Sequence, residues 1–157
     1  MGNVKIINAT PKTYNNIKFK SLAEVMVYKT LIQQGFSPQY EQETFIIWEG
    51  YKPTITFFTK NSFKRKNKNI EIISENTAKD NRIITNITYT PDFTFMYNGI
   101  KVIIEVKGFQ NDVFPYKFKM FRKHLESLEG KYELWEIFTK KQLLECINHL
   151  KHEGSNL

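Results

Sequence analysis

Within Tyr89–Gly108, read YTPDFTFMYNGIKVIIEVKG, three side chains stand at a spacing that can do chemistry: Asp92, Glu105 and Lys107. Hard divalent cations such as Mg²⁺ take oxygen ligands, typically a few carboxylates together with phosphate oxygens of a substrate. A lysine beside the carboxylates can stabilise phosphate charge or orient an attacking water. The plain alternative is a solvated Asp/Glu pair whose repulsion Lys107 softens.

Whether the three meet depends on strand pairing. Asn98-Gly99 is the preferred pair for a two-residue type I′ hairpin turn, and such a turn fixes the register. Tyr97 then faces Ile100, Phe95 faces Val102, Phe93 faces Ile104 and Pro91 faces Val106, all apolar and therefore a core face. On the other face Met96 meets Lys101, Thr94 meets Ile103 and Asp92 meets Glu105, with Lys107 two residues further on. A slip by one residue would mix the two sets. Directly opposed residues have Cβ atoms about 4.5–5.5 Å apart, and carboxylates that close repel. A cation, a shared proton or full exposure must offset this, and Ile103 on the same face argues for partial cover by a helix.

The elements around the hairpin follow from periodicity and punctuation. Residues 21–34 read as a helix ended by Gly35. On a helical wheel Val25, Val27, Tyr28, Leu31 and Ile32 form an apolar arc, and Glu24 falls near its middle. A carboxylate in a core-facing stripe should be paired, protonated or metal-bound. Ser21-Leu22-Ala23-Glu24 equally fits a capping box in which Glu24 reaches back to the Ser21 amide, so both roles stand. Residues 39–48 and 54–59 are expected to be extended. A basic stretch with Lys60, Lys64, Arg65, Lys66 and Lys68 follows, then candidate strands at 70–73 and 82–88 around a turn near 76–81. Pro115 opens a helix to about Leu128, 132–138 is a strand, and Thr139 with Gln142 caps a last helix. This order predicts an α/β fold, a mixed central sheet flanked by helices. It is expected as a single domain over 1–157, with an N-terminal arm (1–18), a basic insertion (60–86) and a frayed tail (153–157).

The 157 residues suffice for one packed core, and 41% are hydrophobic, which argues against disorder. No run approaches the roughly 20 apolar residues of a membrane span, and Met1–Thr10 lacks the pattern of a signal peptide; the expectation is a cytoplasmic protein. The one cysteine, Cys146, forms no internal disulfide and is expected to pack on the last helix. None of His124, His149 and His152 is expected to be catalytic. Lys and Arg number 23 against 16 acids, a formal charge of +7, which raises the odds of a polyanionic partner. On the helix after Pro115, Phe118, Phe121, Leu125 and Leu128 form a buried stripe, while Lys119, Arg122 and Lys123 project from the far side and Lys117 sits at the margin. These basic residues, and Lys64, Arg65 and Lys66, are either phosphate contacts or an ordinary solvated face and loop.

Pro91-Asp92 followed by Glu105-Val106-Lys107 resembles the PD-(D/E)XK signature of restriction-endonuclease-like nucleases. More narrowly, KSLAEVMVYKTLIQQGF, then YEQETF, YTPDF and IIEVKGF, resembles small phage endodeoxyribonucleases of the Holliday-junction-resolvase kind, over most of Phe19 to Phe138. The resemblance implies a restriction-endonuclease-like core and hydrolysis of DNA phosphodiesters with Mg²⁺ or Mn²⁺. By position it makes Asp92, Glu105 and the Val106 carbonyl metal ligands and Lys107 the residue that activates water. Glu24 becomes the acidic residue of the first helix, a third carboxylate that binds a metal or its water, and Lys119 the basic residue of the later helix. Branched DNA is the implied substrate, and two symmetric cuts imply a homodimer, with no small-molecule cofactor. Rival readings are a transposase-like or packaging nuclease on the same fold, and a nucleic-acid-binding module without catalysis.

Overall fold

The computed structural model describes residues 11–67, 70–108 and 113–153, with side chains left out at 61–75 and 153. The elements run β1 (Lys12–Tyr14), β2 (Ile17–Phe19), α1 (Leu22–Gln33), β3 (Gln39–Tyr40), β4 (Phe45–Trp48), β5 (Phe57–Asn67), β6 (Ile70–Asp80), β7 (Ile87–Tyr89), β8 (Phe93–Tyr97), β9 (Ile100–Val106), α2 (Phe114–Glu126), β10 (Lys131–Ile137) and α3 (Lys140–Glu153). The chain divides into two compact units, one within Met1–Ile47 and Thr88–Leu157, the other Trp48–Ile87.

The first unit is a mixed α/β fold. Its four-stranded sheet has the order β10-β9-β8-β3. The β8–β9 and β3–β8 pairs are antiparallel and β9–β10 is parallel. The β8–β9 register is the one the Asn98-Gly99 turn demands, with Tyr97 opposite Ile100, Phe95 opposite Val102 and Phe93 opposite Ile104. Asn98 and Gly99 both take left-handed backbone, at φ 49° and 77°, as a type I′ turn requires.

That register sorts the two faces. Phe93, Phe95, Val102 and Ile104 join Val27, Tyr28 and Leu31 of α1 and Leu143, Ile147 and Leu150 of α3 in the main core. Ile103 faces the other way and packs with Tyr89 and with Phe121 and Leu125 of α2. Helices therefore cover both faces. Cys146 is buried in the main core, where desolvation pushes its thiol up to about 12. In α1 the buried set is Glu24, Val25, Val27, Tyr28 and Leu31, whereas Ile32 lies outside it and is exposed. Thr139 and Gln142 cap α3 reciprocally, at 3.0 and 3.2 Å.

Several expectations need correction. The arm before Phe19 contains a hairpin, β1–β2, turned by Asn15 and Asn16 at φ 49° and 61°; asparagine tolerates this backbone where other side chains do not. The second unit is not a loop between short strands. β5 and β6 pair continuously from Phe57↔Asp80 to Asn67↔Ile70, so the basic stretch and the expected turn near 76–81 both lie in strand. A polar ribbon carries no half-buried alternation to betray it. At its base Tyr51 bridges Ile84, and Gly50 is pressed so close to the Ile84 carbonyl that an added Cβ would lie 2.2 Å from it. In the tail, helix α3 runs through Glu153, and 154–157 lie outside the described residues. No described helix is long and apolar enough to cross a membrane.

The hairpin turn offers a clean stability test. A Cβ added at Gly99 meets nothing within 4 Å, so Gly99→Ala carries only the conformational cost of left-handed backbone, about 1–2 kcal/mol. Urea unfolding should show a lower midpoint with an unchanged slope; an unchanged midpoint would refute the turn's role in holding the register.

Candidate active site

At the C-terminal end of β9 four carboxylate-bearing residues lie in one row across the sheet. Glu136 of β10 is the register partner of Glu105 in β9. One step beyond Phe93↔Ile104, Asp92 comes opposite Glu105. On the far side the Glu41 amide donates to the Asp92 carbonyl at 2.9 Å. The hairpin thus brings Asp92 and Glu105 together with Lys107, as its register requires.

The bonding around this row is uneven. Asp92 is half-buried, and its Oδ2 accepts from the Val106 amide at 2.7 Å. Glu105 is buried, with one carboxylate oxygen paired and one not. Lys107 Nζ bonds Oε1 at 2.5 Å, while Oε2 has no hydrogen-bond partner among the described residues. Lys107 is itself nearly buried and lies over the Phe114 ring at the start of α2, 3.4 Å from its centroid. An unsatisfied buried oxygen costs about 1–3 kcal/mol, more if charged, so Glu105 Oε2 is a net cost to the fold. Desolvation, and next the charge of Glu105, hold the Asp92 carboxyl well above the ordinary carboxylate range; Glu24 adds to this, while the Val106 amide and Lys107 oppose it.

A divalent cation fits these donors: two opposed carboxylates, one buried free oxygen and a field that favours added positive charge. The fit is partial, because among the described residues no group of three or more His, Cys, Asp or Glu side chains converges to hold a metal. The Val106 carbonyl is the remaining candidate ligand.

Glu24 is buried, and its charge reaches Asp92. Its oxygens, however, are taken. Oε2 accepts from the Lys20 amide at 2.9 Å and the Tyr40 hydroxyl at 2.7 Å, and Oε1 accepts from the Ser21 hydroxyl at 2.8 Å. The capping box exists, with Ser21 Oγ accepting from the Glu24 amide at 3.2 Å, but the return bond goes to the Lys20 amide, one residue before the expected Ser21. Burial, and then the bond to Glu24, raise the Tyr40 hydroxyl far above its usual range. Lys20 completes this side: burial pulls its pKa down, but Glu41, to which it is ion-paired, together with Asp92 and Glu24 raises it overall.

The basic candidates separate. Lys119, Arg122 and Lys123 are all exposed on α2. Arg122 also lines a cleft of about 560 Å³, whose lining includes Glu136, the strand neighbour of Glu105. Lys117 donates to the Thr88 carbonyl at 3.2 Å, next to Tyr89. Lys64, Arg65 and Lys66 fall on β5, opposite Ile73, Ile72 and Glu71, with side chains outside the described ones. Gln110 and Asn111, which could have met a phosphate, lie outside the described residues. Glu43 pairs with Lys101 at 2.6 Å on the site face. His149 of α3 contacts Glu133 of β10 at 3.3 Å.

The family described as "Protein of unknown function (DUF1064)" matches residues 5–142. The chain belongs to the DUF1064 family. No curated protein and no solved structure matches it. The DUF1064 match spans every element from β1 to β10 and so includes Glu24, Asp92, Glu105 and Lys107.

Sequence reasoning missed Glu136, the strand neighbour of Glu105, and Tyr89. The Tyr89 hydroxyl is buried and without a hydrogen-bond partner among the described residues. Burial raises its pKa most, followed by the nearby charge of Glu105, then by those of Asp92 and Glu136. The only local signal was its position two residues before Pro91-Asp92.

The Asp92 shift has a sign that can be tested. Its folded pKa lies above the unfolded value, so the metal-free protein is stabilised below the unfolded pKa and loses that stability as pH rises through the folded pKa. Asp92→Asn should remove this loss. In EDTA its Tm should exceed that of the unaltered protein at mildly alkaline pH, by about 2–4 °C per kcal/mol relieved, and match it at strongly acidic pH. Equal Tm values at both would refute the buried repulsion.

Proposed function

We propose that this chain is a Mg²⁺-dependent endodeoxyribonuclease with a restriction-endonuclease-like core, hydrolysing DNA phosphodiester bonds. The observation that carries the reading is the opposed pair Asp92 and Glu105, with Glu105 Oε2 buried and unsatisfied and Lys107 bonded to its other oxygen. A carboxylate pair, one buried and one half-buried, beside a fixed ammonium is an arrangement that serves phosphate chemistry better than stability, since like charges on opposed strand positions destabilise a sheet.

A bound divalent cation would lower the pKa of a water and stabilise charge on the scissile phosphate. Asp92 and Glu105 would hold that ion, helped by the Val106 carbonyl, and Mn²⁺ would substitute. Lys107 is positioned by Glu105 and Phe114 to meet a phosphate oxygen or orient the nucleophile. Glu24 contributes negative field at Asp92 and, through its bonds to Lys20, Ser21 and Tyr40, anchors the start of α1. The net charge of +7 and the exposed Lys119, Arg122 and Lys123 suit a DNA backbone. Branched DNA, cut by a homodimer in the cytoplasm, is the substrate suggested by the resemblance to junction resolvases.

A second reading is a DNA-binding module without catalysis. It is favoured by the donor set, two carboxylates where three side chains would hold an ion more firmly. One assay separates the two readings: cleavage of a four-way junction, a flap and a linear duplex with Mg²⁺ or Mn²⁺. The unaltered protein should cut, best on the junction. Glu105→Ala should lose at least about 10²-fold in rate while still retarding DNA. Tight binding with no cleavage under either metal would establish the second reading, and full cleavage by Glu105→Ala would remove the site.

A further inference from the structure

We propose that the second unit, Trp48–Ile87, carries a binding surface for single-stranded DNA, on which exposed aromatic rings stack the bases and neighbouring lysines hold the phosphates. This extends the reading above, in which a branched substrate offers unpaired bases, but it is built from residues outside the carboxylate row.

The unit has no core of its own. Among its described side chains none is buried. β5 and β6 form a two-stranded sheet, and such a ribbon has no second layer to close over a face. Four rings stand in solvent along one short run of chain: Trp48, Tyr51, Phe57 and Phe58 are 37%, 54%, 59% and 61% exposed. Trp48 and Tyr51 meet edge to face, with centroids 5.6 Å apart and planes at 77°, so the ring that presents its edge keeps both faces clear of the other. The backbone beneath them is fixed. Tyr51 and Ile84 exchange two amide-to-carbonyl bonds of 2.9 Å, and the Gly50 amide donates to Asn86 Oδ1 at 2.7 Å.

Exposed apolar surface gathered in this way marks a contact with a partner, and the charge indicates which. Trp48–Ile87 holds eight Lys and Arg against four Asp and Glu, so about a quarter of the chain carries +4 of its formal +7. Lys52 follows Tyr51 directly, and Lys79 is the register partner of Phe58, which sets a cation and a ring side by side on one face of the ribbon. Arg82 is already engaged by Asp80 at 2.6 Å. Lysine is depleted from the cores of protein interfaces. Interleaved rings and cations suit a single strand, which offers a base face and a phosphate in every nucleotide. A duplex keeps its bases stacked on one another and leaves such rings unused.

The test is run in EDTA on the full chain, by fluorescence anisotropy of a labelled oligothymidylate, with duplex DNA and an oligouridylate compared under the same salt. Trp48→Ala and Phe58→Ala should each weaken oligothymidylate binding about tenfold. Trp48→Phe should keep most of the affinity, because any ring offers a face, and Leu22→Ala, at a position 61% exposed on α1, should change nothing. Lys79→Gln should lower the slope of log affinity against log salt by about 0.7, the share of one phosphate contact to a single strand. Oligothymidylate should quench more tryptophan emission in the unaltered protein than in Trp48→Phe, a readout that stands even if an alanine variant folds poorly. Unchanged affinity in both alanine variants, tighter binding of the duplex or of the oligouridylate, or a dimer that Phe58→Ala dissociates without altering DNA affinity would each overturn the proposal; the last would make the surface an interface between copies. Strand binding that the alanine variants weaken, with no cleavage under Mg²⁺ or Mn²⁺, would support this surface and overturn the nuclease reading. Metal-dependent cleavage with unchanged strand affinity in those variants would do the reverse.

Discussion

Two carboxylates set directly against each other on a covered sheet face are the constraint on which the rest of this structure turns. Asp92 and Glu105 cannot separate, because the turn at Asn98-Gly99 fixes the β8–β9 register and a one-residue slip would bury the polar set and expose Phe93, Phe95, Val102 and Ile104. Nor can they be fully hydrated, because α2 packs Phe121 and Leu125 over Ile103 and Tyr89 on the same face. The hydrophobic gain of closing both faces therefore holds in place an electrostatic arrangement that would not form by itself. Lys107 relieves one oxygen and the Val106 amide another. The remainder is the Glu105 oxygen Oε2, buried and without a partner among the described residues.

The hairpin, its register, α1, α2, β10 and the cap of α3 were legible because each is written locally: a turn dipeptide, a two-residue or 3.6-residue period, a capping pair. The β1–β2 hairpin was not, since its strands are three residues each and its Asn15-Asn16 turn lacks the glycine that usually announces left-handed backbone. The β5–β6 ribbon was missed for another reason. Its exposed base, with Phe57 and Phe58 on one strand and polar partners on the other, gives no alternation from which a buried face could be read.

At the site, Asp92, Glu105 and Lys107 were readable because hairpin pairing is a short-range relation. Glu24 was half readable: its burial followed from the wheel, but its choice of the Lys20 amide and the Tyr40 hydroxyl depends on where β3 passes α1. Tyr89 and Glu136 were not readable. Their place beside Glu105 comes from β7, β9, β10 and α2 meeting in space, and no spacing within one segment encodes it.

Glu24 also bears on how descendants of this chain could change. One side chain ties together the entry to α1, the β3 tyrosine and, through its charge, the carboxylate row. Natural selection acting on folding alone would keep an acidic residue there. Asp92 and Glu105 instead oppose each other, and selection on folding alone would shed that repulsion first. Drift under such selection would therefore be written at positions 92 and 105 while position 24 still looked intact.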